Sequence, residues 1–109
     1  MNMKIDFDMK EAKQVTINGT KGEGYAEIIH SGNKKECKGK ASFKEARAIK
    51  ELYWNTRKKE AEYTGIVYDQ GKESPDETFT VIIEDLKEDS SGNIKVVFYA
   101  KSIPMLIDN

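Results

Sequence analysis

Two acidic motifs in the second half of the chain carry the residue types of a metal-dependent nuclease. Pro75-Asp76 precedes Asp85-Leu86-Lys87, and in such a site two carboxylates hold a metal ion beside a lysine. The sequence between them, TFTVIIE, predicts one extended strand. At about 3.3 Å per residue, the nine steps from Asp76 to Asp85 span roughly 30 Å. We therefore expect no shared metal ion, and a metal-dependent nuclease is the least favoured of three functions considered.

The only histidine and the only cysteine, His30 and Cys37, flank a predicted turn. A neighbouring histidine can activate a cysteine as a thiolate, but no third group that would orient the histidine is evident. Asp6 and Asp8 share one face of a predicted strand without further metal ligands. One cysteine excludes an internal disulfide bond and a multi-cysteine zinc site. We predict no catalytic residue, no metal and no cofactor.

Clustered lysines indicate a different chemistry, the attraction of phosphate. Residues 34–40 hold four lysines and one glutamate, a net charge of +3, and a predicted helix adds bases on its outer face. Lysine without arginine suits phosphate contacts better than base reading. The alternative function is therefore a nucleic-acid-binding domain, weak at most, that uses the hairpin 34–40 and the outer face of helix 43–62. Its candidate residues are Lys34, Lys35, Lys38, Lys40, Arg47, Lys58 and Lys59.

Acidic residues dominate the region 69–89, which holds eight Asp or Glu against two lysines, a net charge of −6. Two loops are predicted there, at 69–77 and 84–93, and loops are where binding residues concentrate. The leading hypothesis is a small non-enzymatic module that docks on a basic protein surface through these loops. A phage or mobile-element accessory inhibitor is one specific version. The candidate residues are Asp69, Glu73, Asp76, Glu77, Glu84, Asp85, Glu88 and Asp89.

The last residues, SIPMLIDN, are apolar where chain ends are usually polar. They either fold back onto the sheet or form a homodimer contact. The residues concerned are Ile103, Met105, Leu106 and Ile107.

Hydrophobic periodicity predicts the elements that position these side chains. Alternation of period two predicts strands before residue 42, among them 4–9, and after residue 62, among them 63–69, joined by glycine-containing turns. Val15 with Ile17, and Val81 with Ile83, are expected on the apolar faces of their strands. Between them, Ser42-x-x-Glu45 fits a capping box and predicts one long amphipathic helix over 43–62. On its helical wheel Tyr53 falls in the apolar stripe and Trp54 at the boundary. We expect Tyr53 in the core and no exposed platform of aromatic and basic side chains on this helix.

These elements predict an α+β fold in the order βββ-α-βββ, with an antiparallel sheet of five to six strands and the helix packed on one face. A length of 109 residues with 38% hydrophobic content fits one domain, residues 1–109. No apolar run reaches the ~20 residues that a membrane-spanning helix needs, and no leader-like segment is evident. With a single thiol, we expect a cytoplasmic protein.

Overall fold

The computed structural model describes residues 12–55, 57 and 59–102, and eight strands and one helix lie within them. In chain order the elements are β1 (Lys13–Ile17), β2 (Thr20–Ser31), β3 (Lys34–Lys44), α1 (Arg47–Asn55), β4 (Glu60–Gly65), β5 (Val67–Asp69), β6 (Lys72–Glu73), β7 (Glu77–Glu88) and β8 (Asn93–Ala100).

The sheet closes on itself. β1 pairs with β2 along one edge and with β4 along the other, so that β1, β4, β7, β8, β3 and β2 form a six-stranded ring. All neighbours in the ring are antiparallel. β5 lies beside β2 on the same edge as β1, but in parallel, and β6 pairs with β5. The sheet is therefore mixed.

Alternate side chains of the strands point inward and form one buried cluster. Its largest members are Phe43, Tyr63 and Phe98, each at most 1% exposed. Small residues on β2 and β3 make room for these rings: a Cβ on Gly39 would come within 2.4 Å of the Phe98 ring. The hydroxyl of Tyr63 donates a hydrogen bond to the Ile66 carbonyl at 2.6 Å. The ring is thus filled by its own side chains.

The prediction of a long helix over 43–62 is wrong. β3 continues through Lys44, and Ser42 lies between Glu23 and Lys95 on neighbouring strands, where it cannot cap a helix. The chain turns at Glu45 (φ 48°) and again at Lys59 (φ 54°), both in the left-handed region that non-glycine residues rarely adopt. Neither turn carries a glycine or proline, so the sequence shows no break. The helix has nine residues.

The predicted α+β fold, in the order βββ-α-βββ with five to six antiparallel strands, is also wrong. The described residues are mostly strand and form a mixed sheet of eight strands. The segment 63–69, expected as one strand, divides between β4 and β5, which pair with different neighbours. The acidic segment 84–93, expected as a loop, is mostly strand: β7 reaches Glu88 and β8 begins at Asn93. A bulge between Ile83 and Asp85 shifts the alternation of inward and outward side chains. The period-two pattern is therefore interrupted within β7, although the strand continues to Glu88. The strand predicted over residues 4–9 lies outside the described residues.

α1 packs on the sheet through one side. Ile49 belongs to the buried cluster at 1% exposure, as does Ala46 just before the helix at 6%, and Leu52 and Tyr53 pack against the cluster. The Lys50 ammonium lies 2.9 Å from the Glu88 carboxylate at the end of β7. Within the described ranges, no helix has the length and apolarity to cross a membrane.

Replacing Ile49 with alanine tests this packing. Because Ile49 is 1% exposed, we expect Ile49→Ala to lower the free energy of unfolding by about 2–5 kcal/mol in urea denaturation. The matched control is Ile29→Ala, since Ile29 is 40% exposed, and we expect a loss below about 1 kcal/mol. Equal losses in the two variants would contradict the burial of α1.

Candidate functional site

The outward-facing side chains of β2, β3 and β8 bring lysines and tyrosines together. Lys38 of β3 lies directly opposite Tyr99 of β8, and Lys40 lies directly opposite Tyr25 of β2. Lys95 follows on β8, two outward positions from Tyr99. Directly opposed residues have Cβ atoms about 4.5–5.5 Å apart, so these side chains share one surface. We call these five residues the lysine–tyrosine face.

The two tyrosines of this face differ in how far neighbouring side chains bury them. Tyr99 is 39% exposed. Tyr25 is half-buried because the ring of Tyr68 meets it edge to face, with centroids 5.9 Å apart. Tyr68 belongs to β5. This strand is joined to β2 by backbone pairing and by a 2.7 Å contact between His30 Nε2 and Asp69 Oδ1. The β5–β6 hairpin therefore holds one aromatic ring of the face in place.

The charge of this surface is positive although that of the whole chain is −1. The outward positions of β2, β3 and β8 carry three glutamates, Glu23, Glu27 and Glu36, against six lysines, a net charge of +3. One of the acids, Glu27, lies opposite Lys38. The six lysines are Lys21, Lys34, Lys38, Lys40, Lys44 and Lys95.

A second aromatic group with basic neighbours lies at the end of α1. Trp54 is 69% exposed, and its indole meets the Tyr53 ring edge to face at 5.1 Å. Lys59 Nζ lies 4.9 Å from the centroid of the Tyr53 ring, and Arg57 is exposed. The expectation that Trp54 would lie at the core boundary is wrong, and so is the expectation of no exposed platform of aromatic and basic side chains on this helix. Tyr53 packs against the core but is only half-buried, because α1 ends one residue beyond Trp54.

The eight acidic candidates do not form one surface. Asp69, Glu73, Asp76 and Glu77 lie at or before the start of β7, and the others lie near its end. Along β7 the nearest members of the two groups, Glu77 and Glu84, are seven steps or about 23 Å apart.

Half of these acidic side chains make bonds within the fold. Asp69 contacts His30, and Glu88 contacts Lys50. The Asp85 carboxylate accepts a hydrogen bond from the Leu86 amide at the bulge. Asp89 accepts bonds from the Asn93 and Ser91 amides, and the bonds from Asn93 in particular lower the pKa of the Asp89 carboxyl. These four side chains therefore help to build the fold.

The residues considered for catalysis are not brought together. Asp76 precedes β7 and Asp85 lies within it, so an extended strand separates the two carboxylates. His30 is exposed, whereas Cys37 is buried at 2% exposure. Across residues 12–55, 57 and 59–102, no group of three His, Cys, Asp or Glu side chains is placed to hold a metal ion.

The remaining candidates have separate locations. Lys34 and Lys35 lie at the tip of the β2–β3 hairpin, and Arg47 begins α1. Lys58 and the carboxylates Asp6 and Asp8 lie outside the described residues. The apolar C-terminal residues proposed for a dimer also lie outside them: Ile103, Met105, Leu106 and Ile107.

Cys37 gives a test of this placement. Burial raises the pKa of the Cys37 thiol from its ordinary value of 9.0 to about 12, the reverse of what a nucleophile needs. We expect iodoacetamide at about pH 8 to leave the folded protein unmodified and to alkylate it in urea.

The same shift makes stability depend on pH. Since the folded state keeps the thiol proton that the unfolded chain releases, the free energy of unfolding should fall above about pH 9 by at most ~1.4 kcal/mol per unit from this group. The matched variant Cys37→Ala has no thiol to titrate, so its free energy of unfolding should fall less as the pH rises above about 9. Rapid alkylation of the folded protein would contradict the burial of Cys37.

Aromatic and basic side chains thus meet on two surfaces within the described residues. One is the lysine–tyrosine face, and the other is the end of α1, where Tyr53 and Trp54 lie beside Lys59. Sequence reasoning identified Lys38 and Lys40 but missed Tyr25 and Tyr99, because only the pairing of distant strands places them beside the lysines. Comparison of the chain with protein-family models, with curated proteins and with solved structures gave no match.

Proposed function

We propose that this protein is a nucleic-acid-binding module and that the lysine–tyrosine face is its contact surface. The observation that carries the proposal is the register of three strands, which sets Lys38 opposite Tyr99 and Lys40 opposite Tyr25. Lysines attract the phosphate backbone, and exposed aromatic rings provide planes on which bases stack. The two kinds of side chain must occur together for such binding, and here adjacent strands interleave them.

The shape of the molecule favours a surface function. The ring interior is filled by Phe43, Tyr63, Phe98 and their neighbours, so a ligand has to bind outside it. We propose that the protein acts by binding and not by catalysis, in the cytoplasm. The net charge of +3 on these outward positions is modest, so we expect weak affinity that decreases further as salt rises.

Removal of single lysines tests the proposal. The probe is a fluorescein-labelled oligothymidine of about 20 nucleotides, longer than the ~4–16 nucleotides that one small oligonucleotide-binding fold covers. Fluorescence anisotropy gives the dissociation constant at several salt concentrations. We expect Lys38→Ala and Lys40→Ala each to weaken binding and to reduce the slope of log affinity against log salt by about 0.7–1.

The matched control is Lys72→Ala, which removes the same charge from β6, a strand that β5 and β2 separate from β3. It should leave the affinity and the salt slope almost unchanged. If Lys72→Ala weakens binding as much as Lys38→Ala, the face is not the contact surface. The absence of any binding at low salt would overturn the proposed function.

Truncation of Tyr99 separates stacking from charge. Tyr99 is 39% exposed, so we expect Tyr99→Ala to leave the fold intact and to weaken binding roughly 5- to 100-fold, without a change in the salt slope. Tyr99→Phe keeps the ring and should bind almost normally. Equal weakening by both substitutions would indicate that the hydroxyl, and not the ring, contacts the ligand.

The second candidate function is docking on a basic protein surface. It rests on Glu73, Asp76 and Glu77, whose carboxylates lie close in the chain and make no hydrogen bond or ion pair in the part of the protein that the structure describes. An oligolysine peptide replaces the oligonucleotide in its test. Binding of oligolysine that is lost on Glu73→Gln, Asp76→Asn and Glu77→Gln together, without binding of nucleic acid, would support this candidate over the first.

A further inference from the structure

Trp54 has the properties of a stacking residue. It is the only tryptophan in the chain, and 69% of its surface is exposed. An indole is large and apolar, and tryptophan side chains are mostly buried on average in folded proteins. Nothing in the packing of α1 requires this ring, because Ala46, Ile49, Leu52 and Tyr53 supply the contacts to the core.

The ring is attached to a fixed part of the molecule. Tyr53 packs against the core and meets Trp54 edge to face, with the ring planes at 83°. The Lys59 carbonyl accepts a hydrogen bond of 2.9 Å from the Ile83 amide of β7, which holds the chain just after α1. The buried side chain of Ile49, at 1% exposure, anchors the helix itself. A base that stacked on Trp54 would therefore meet a surface that is already ordered.

Charge identifies the kind of ligand. Residues 44–59 contain six Lys or Arg and two Glu, a net charge of +4 that the Lys50–Glu88 ion pair reduces to +3, and Arg57 and Lys59 lie on either side of residue 58. A polyanion with flat apolar groups complements this combination. A duplex hides the faces of its bases in the stack, whereas a single strand exposes them.

The chain also connects the two surfaces. Lys38, Lys40 and Lys44 lie at outward positions of β3, and α1 begins three residues after Lys44. From Lys40 to Lys44 is about 13 Å along the strand, the turn to Arg47 adds at most about 10 Å, and α1 adds about 13 Å, which together set an upper limit on the separation. A bound single strand of several nucleotides spans this distance.

We propose that Trp54 stacks on a nucleobase and that the ligand of the lysine–tyrosine face is single-stranded nucleic acid. The inference rests on the proposed function and adds the class of ligand and a second contact point. Short oligonucleotides occupy the lysine–tyrosine face alone, and longer ones reach Trp54 as well.

The intrinsic fluorescence of Trp54 tests the inference directly, since no other tryptophan contributes. Oligothymidines of about 4 and about 16 nucleotides cover the range of site sizes of small single-strand-binding folds. We expect the longer one to quench Trp54 fluorescence in parallel with binding measured by anisotropy, and the shorter one to bind without quenching. A duplex of the longer length should bind more weakly and without quenching.

Two variants complete the experiment. Trp54→Ala should weaken binding of the longer oligonucleotide roughly 5- to 100-fold, and Trp54→Phe should restore most of it. Urea denaturation of both variants should match the parent because the side chain is exposed. Binding with unchanged fluorescence and unchanged affinity of Trp54→Ala would overturn this inference and leave the proposed function standing, as would equal binding of the duplex. The absence of binding by any oligonucleotide would overturn both.

Discussion

Closure of the sheet by β1 is the constraint on which the rest of the structure depends. A strand at the edge of an open sheet leaves its backbone groups unpaired, whereas β1 pairs with β2 on one side and β4 on the other. Closure gives every strand of the ring an inner and an outer face. The inner face has room only for the packed cluster around Phe43, Tyr63 and Phe98. Charged and polar side chains therefore lie on the outer face.

Closure also determines which side chains lie on the outer face. With Cys37, Gly39 and Ala41 directed inward on β3, the intervening lysines must point outward. The register with β8 and β2 then decides which side chains accompany them. A shift of one residue would turn the lysines inward, which the packed interior forbids. The same packing that stabilises the fold therefore positions the surface that we propose as functional.

Local signals in the sequence predicted several turns and core positions, but not the fold class. The turns at Asn18-Gly19, Gly32 and Gly92 were recognisable because glycine adopts positive φ without strain. Val15 with Ile17, and Val81 with Ile83, face the core as their alternation predicted.

The failures have physical causes that lie outside local sequence. Glu45 turns the chain at positive φ before α1 and Lys59 does so after it, both without a glycine, so no sequence signal marks the limits of the helix. Tyr25 and Tyr99 stand far apart in the chain and meet the lysines only through the sheet. Trp54 lies within α1 but is exposed, because Ile49, Leu52 and Tyr53 supply the core contacts of this short helix.

Mapping of the contact surface residue by residue tests the central claim most directly. An NMR titration of isotope-labelled protein with a single-stranded oligonucleotide reports which backbone amides and which indole N–H change their environment. We expect the changes to concentrate at Tyr25, Lys38, Lys40, Tyr99 and the Trp54 indole. Changes confined to the acidic residues around Asp76, or no changes at all, would contradict the assignment of the lysine–tyrosine face as a nucleic-acid-binding surface.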